Sequence, residues 1–217
     1  KDSITLDVGS NNIDFDVILV AIGVSGNINN IGLNNIGIKN TNGFIEVNEY
    51  MQTNISNIYA IRDVSGPPLL AHVASAEGIQ AIEHICNMDP AGMNYENIPA
   101  CTYCEPEVAS VGYTEKKAIE KGYEVRVGKF PFRALGKSLA DGAHDGFVKI
   151  IYDKKYGELL GCHIIGHDAS NLISEIGISR ALETTYLEIL KTIHPHPTLS
   201  EAIHEATGDA YDEAIHI

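Results

Sequence analysis

The segment from Ile193 to Ala206 reads IHPHPTLSEAIHEA. His194 and His196 alternate with Pro195 and Pro197, and Glu201 follows five residues after His196. Proline restricts its own backbone and that of the preceding residue, so both imidazoles stand on a stiffened chain. A rigid imidazole with a carboxylate in reach is a good general base. The carboxylate selects the tautomer and stabilises the imidazolium once a proton arrives. A second reading needs no chemistry. Thr198-x-x-Glu201 has capping-box spacing and Pro197 has the φ of a first helical turn, so a helix is expected to begin there with Thr198 as N-cap and Glu201 at N3. A helix N-terminus disfavours a charged imidazole, which would give the glutamate a compensating role. Spacing alone leaves the two readings even.

Other polar groups invite chemistry less strongly. Cys101-Thr-Tyr-Cys104 has the spacing of redox and zinc sites, but no second pair completes four zinc ligands. On a strand these two cysteines face opposite sides roughly 10 Å apart, too far for a disulfide, so ordinary strand cysteines are expected. His163 and His167 lie in a strand-like segment, too far apart to share a metal, and no metal site is expected. Asp63, at the end of IYAIRDV, is either a turn cap or an acceptor for a sugar-like polyol. No GxGxxG, Walker or GxSxG motif occurs, so a phosphate-cradling turn is not in this chain.

These groups need a folded frame, and the composition supplies one. The 217 residues are 44% hydrophobic, enough for one large or two small cored domains. A net charge of -14 disfavours a basic surface for nucleic acid or anionic membrane. The longest apolar run, Val17 to Val24, suits a buried strand rather than a span of about 20 residues. Four cysteines in a chain this long point to a reducing compartment. The opening KDSITLDVGSNN lacks an initiator Met and a leader pattern and reads as mid-strand, so a fragment of a longer protein is expected.

Three regions position the candidates. Residues 1–24 hold two apolar runs around GSNN, a hairpin with a half-exposed first strand and a buried second one. Residues 25–98 carry an Asn/Gly-rich loop stretch, short strands FIEV and IYAI, and a helix through LLAHVASAEGIQAIEHIC with a stripe of Leu70, Val73, Ala74, Ile79 and Ile82. Residues 99–217 alternate strands and helices in an α+β pattern. Thr114 is a possible N-cap, FVKIIYDKKYGELLGCHIIG a hairpin, Asp168 an N-cap, and Thr185/Glu188 a capping box.

HPHPTLSEA closely resembles the C-terminal motif of the dihydrolipoamide dehydrogenase family, flavin-dependent pyridine nucleotide-disulfide oxidoreductases. DVILVAIG, IYAIRDVSGPPLLAHVASAEG, PEVASVG, GKFPF and LLGCHIIG resemble further segments of that family in the same order, so the resemblance covers essentially the whole chain. It implies an α+β fold: the end of an NAD-binding domain at 1–24, a central flavin-contacting segment at 25–98, and an antiparallel-sheet dimerisation domain at 99–217. It implies that His196 accepts a proton and Glu201 orients it. Asp63 would hydrogen-bond the ribityl chain of FAD, Leu69, Leu70, Ala71 and His72 would line the flavin, and Gly23 would approach NAD. The implied activity is oxidation of dihydrolipoamide with NAD through FAD and a redox disulfide. The partners are a second subunit and the lipoyl domains of a 2-oxoacid dehydrogenase complex. The expected setting is bacterial cytoplasm, or mitochondrial matrix in a eukaryote. Glutathione and mercuric reductases share the architecture. Arg62 stands where the family usually has glycine, Val24 where it has arginine, and Val73 where lysine is common. The disulfide and the flavin phosphate turn are not in this chain, so alone it is expected to be an inactive, colourless dimerisation module.

Overall fold

The computed structural model describes residues 3–216 and divides between Met93 and Asn94 into two compact units. In the first, β1 (Ile4–Val8) and β2 (Asn11–Phe15) form an antiparallel hairpin, with Ile4 opposite Phe15 and Gly9 in the turn at φ +69°. The expected buried strand through DVILVAIG does not form: Val17, Leu19 and Ile22 are 81%, 88% and 91% exposed. An unbroken apolar strand is stable only with paired edges and covered faces, and these exposures give it neither among the described residues.

A small core of Ile38, Ile45 and Ala60 follows. The FIEV strand shrinks to β4 (Phe44–Ile45), paired with β3 (Asn40–Thr41), and IYAI contributes one isolated bridge, Gln52 to Tyr59. A 3-10 turn, Arg62–Val64, leads into α1 (Ala71–Ile85). The helix is where its periodicity predicts, but its buried face is not. Val73, Glu77, Gln80 and Ala81 are inside, whereas Ile79 and Ile82 face outward. Two polar anchors set that rotation: Glu77 accepts the Arg62 N–H at 2.8 Å, and the Gln80 amide donates to the Glu49 carbonyl.

The second unit is built on one antiparallel sheet in the order β5 (Ala100–Thr102), β6 (Glu107–Gly112), β9 (Leu159–Gly166), β8 (Phe147–Asp153), β7 (Val125–Pro131). The β8–β9 hairpin falls where its two β-rich runs flank a polar turn. Five α-helices follow α1 among the described residues: α2 (Glu115–Glu120), α3 (Gly136–Asp141), α4 (Ala169–Ala181), α5 (Tyr186–Lys191) and α6 (Glu201–Ala210). Thr114 caps α2 through the Lys117 N–H, and Thr185 with Glu188 forms the predicted capping box of α5. Asp168 occupies the N-cap of α4 but makes no side-chain cap, because it accepts from the Asn171 side chain instead.

Helix α4 packs on β6 and β9, and α6 on β7 and β8. Between them lies a core that includes Phe130, Phe132, Ile150, Tyr152, Ile173 and Ile203. Gly128 permits the closest approach: a Cβ there would collide with the Ala206 carbonyl, so α6 sits directly on the β7 backbone. The expected helix start at Pro197 is displaced. α6 begins at Glu201, with Ser200 at its N-cap. The Thr198 hydroxyl is not free to cap, since it donates to the Pro195 carbonyl at 2.7 Å and contacts the Ser200 hydroxyl at 2.8 Å.

Candidate active site

The chain between α5 and α6 carries both histidines of the HPHP segment. His196 Nδ1 lies 2.9 Å from Glu201 Oε1, and Glu201 Oε2 accepts the Thr198 N–H at 2.8 Å. The two sequence readings therefore coexist on one carboxylate. One oxygen makes half of a capping box by fixing the loop backbone, and the other fixes the imidazole. Glu201 is held by the first turn of α6, whose buried residues Ala202, Ile203 and Ala206 lock it to the sheet.

Exposure separates the pair. The His196 side chain is 77% exposed and that of Glu201 only 21%. Burial pushes the Glu201 carboxyl up, but the Thr198 N–H and the His196 imidazole outweigh it, and its pKa lies below the ordinary glutamate value. Glu201 is therefore a carboxylate at neutral pH and acts as acceptor, so the Nδ1 of His196 carries the proton. Nε2 is then the basic nitrogen and belongs to the exposed imidazole, a geometry suited to taking a proton from an incoming acid group.

His194 sits in a different environment. Its side chain is 7% exposed, with Nε2 2.9 Å from Glu175 Oε1 on α4 and Nδ1 3.1 Å from the Thr192 carbonyl. One turn along α6, Glu205 makes a second histidine pair: Oε1 contacts His216 Nδ1 at 2.8 Å, and Oε2 accepts the N–H groups of Ile215 and His216. Sequence reasoning found neither partner. Glu175 is 19 residues from His194 and gives no local spacing signal. Glu205, four residues beyond Glu201, was visible as the next carboxylate on the same helical face.

The remaining candidates lie in the first unit. Asp63 is exposed in the 3-10 turn, Leu69 and Leu70 are half-buried, and Ala71 and His72 open α1 as exposed residues. Leu70, at the N-cap, makes no side-chain cap. Gly23, at φ +102°, lies in the exposed segment after the hairpin. Asp63 thus offers an exposed carboxylate of the kind that accepts from a polyol. All four cysteines are free of disulfides. Cys101 is on β5, Cys104 lies beyond its end with Sγ 3.1 Å from the Pro106 carbonyl, and burial pushes the Cys162 thiol strongly up.

Residues 98–207 match the family model for the dimerisation domain of pyridine nucleotide-disulphide oxidoreductases, and residues 1–78 match the model for the pyridine nucleotide-disulphide oxidoreductases themselves. The chain belongs to this family. Its sequence is 50% identical over 203 residues to a dihydrolipoyl dehydrogenase of Zymomonas mobilis, covering 93% of this chain and 44% of that protein. It is 51% identical over 198 residues to one of Bacillus subtilis, covering 91% and 42%. The chain thus spans less than half the length of these relatives. Among solved structures, LpdA from Mycobacterium tuberculosis superposes with a TM-score of 0.84 at 27% identity, over 91% of this chain and 43% of that one. The flavoprotein disulfide reductase RclA from Escherichia coli shares the fold, with a TM-score of 0.85 at 20% identity over 96% of this chain and 48% of that one. The α+β fold with an antiparallel dimerisation domain is that of the family.

Proposed function

We propose that this chain is the C-terminal part of a dihydrolipoyl dehydrogenase, an oxidoreductase that oxidises dihydrolipoamide with NAD. Residues 1–24 are the end of its NAD-binding domain, 25–98 its flavin-contacting segment and 99–217 its dimerisation domain. The observation that carries the reading is the His196–Glu201 pair, 2.9 Å apart, with a shielded carboxylate behind an exposed imidazole. The relatives named dihydrolipoyl dehydrogenase support it.

In this reading His196 Nε2 takes the proton of a dihydrolipoamide thiol. The thiolate, not the thiol, is the nucleophile, and an unperturbed thiol with a pKa of about 8.5 is mostly protonated at neutral pH. Glu201 holds Nδ1–H and stabilises the imidazolium that results. Such a base contributes roughly 10²- to 10⁴-fold to a rate. Asp63 would hold the ribityl chain of FAD, and Leu69, Leu70, Ala71 and His72 would line its ring. Gly23, without a side chain, would let NAD approach. FAD supplies the two-electron relay from dithiol to NAD when bound. A second subunit, lipoyl domains of a 2-oxoacid dehydrogenase complex and a cytoplasmic or matrix setting belong to the same proposal.

Glu201→Gln tests the pair. In the enzyme that includes the N-terminal domains, this substitution is expected to lower turnover at least about tenfold, a part of the roughly 10²- to 10⁴-fold that general-base assistance supplies, while the melting temperature falls little. A lower melting temperature with unchanged turnover would leave Glu201 only its contact with the Thr198 N–H.

A further inference from the structure

His194 is the histidine that the mechanism above leaves unused, and it is the better held of the two. Its Nδ1 faces the Thr192 carbonyl at 3.1 Å, and a carbonyl can only accept, so Nδ1 carries a proton. Its Nε2 faces Glu175 Oε1 at 2.9 Å. A neutral ring would then point a lone pair at a carboxylate oxygen. An imidazolium satisfies both contacts with N–H donors and replaces that repulsion with a charge-assisted hydrogen bond. We propose that His194 is a charged positioning residue: clamped between Glu175 of α4 and the Thr192 carbonyl, it fixes the loop that presents His196.

The other charged groups around the ring agree with this state. From α6, the His204 ring stands edge-on with centroids 5.5 Å apart, and its Nε2 is turned to the Leu190 carbonyl at 3.3 Å. Glu201, also from α6, adds attraction through space. From α5, Glu188 lines the same cleft as Glu175 and His194. Its carboxylate is held by Thr185, so the carboxylates that act on the ring come from α4 and α6. The Glu175 hydrogen bond holds the His194 pKa above the ordinary imidazole value, against the opposing effect of burial.

The geometric consequence lies two residues on. Pro195 and Pro197 leave the backbone around His196 few conformations. His194 anchors that stiff segment to α4 at one end, and Glu201 anchors it to α6 at the other through the Thr198 N–H and His196. Without its charge, His194 loses the Glu175 contact and the segment is tied at one end only. This role rests on the assignment of His196 as proton acceptor.

The test follows both histidines in the whole chain by a proton–nitrogen correlation spectrum that reports the protonation of each ring nitrogen, titrated from neutral into alkaline pH. At neutral pH both nitrogens of His194 are expected to read as protonated, with a midpoint above the ordinary imidazole value. As His194 loses its proton, His196 is expected to change from one fixed Nδ1–H tautomer to a mixture. Glu175→Gln should bring both changes to lower pH. If that variant fails to fold, the titration of the native chain stands by itself. A neutral His194 at neutral pH, or a His196 tautomer indifferent to the state of His194, would overturn the proposal. Neither readout uses turnover, so its failure is distinguishable from a failure of the proton-acceptor role, which activity alone decides.

Discussion

At the scale of single residues, two carboxylates and one backbone angle set the behaviour. The folded pKa of His194 lies above its unfolded value, so its contribution to stability is complete below the ordinary imidazole pKa and is lost as pH rises through the folded value. Glu205 works in the opposite direction. Burial raises its pKa, but His216 and the N–H groups of Ile215 and His216 bring it below the ordinary glutamate value, so its contribution is lost as pH falls. Thermal melts across pH should show both flanks, and Glu205→Gln should flatten the acid one; an unchanged acid flank would show that the His216 contact adds nothing. Arg62 adopts φ +71°, a region that suits glycine. Arg62→Gly is expected to stabilise the chain by about 0.5–1 kcal/mol, read as a higher denaturant midpoint. A lower midpoint would mean that the arginine side chain stabilises its site. The residue types of His196 and Glu201 and their spacing were legible in the sequence, because the contact is local. The Glu175 partner was not, because only the packing of α4 beside the loop brings it near.

At the scale of elements, the fold was most legible where hydrogen-bond partners are close in sequence. The β8–β9 hairpin and the Thr185/Glu188 box depend on residues within one turn, and both form as read. The misreadings have distant causes. The helix start moved from Pro197 to Glu201 because the Thr198 hydroxyl found the Pro195 carbonyl, and Ile79 and Ile82 of the α1 stripe face outward because Glu77 and Gln80 hold backbone groups of other segments. The seat of α6 on β7 yields a prediction. Gly128→Ala forces a methyl group against the Ala206 carbonyl, which should cost about 1–3 kcal/mol or more as overpacking does. Because α6 carries Glu201, the same change should disturb the His196 pair. Near-native stability would mean that α6 shifts freely.

At the scale of the molecule, large apolar side chains remain outside. Ile178, Leu182 and Ile193 are 65%, 73% and 94% exposed on the second unit, whose family domain is a dimerisation domain. A dimerisation domain needs apolar surface of this kind to bury against a second copy. Light scattering is expected to give twice the 23.5 kDa chain mass, and a monomer at working concentrations would contradict the dimer. Among the described residues no helix is long and apolar enough to cross a membrane. The family of the chain was readable by resemblance. The exposed run after β2 was not, since its apolar pattern reads the same whether or not neighbours cover it.

The central claim is that His196 accepts the thiol proton, and its most direct test is dihydrolipoamide turnover by the His196→Gln variant of the enzyme that includes the N-terminal domains. The account predicts a loss of at least about tenfold, within the 10²- to 10⁴-fold scale of general-base catalysis or just short of it, with folding unchanged. Turnover close to that of the unsubstituted enzyme would contradict it.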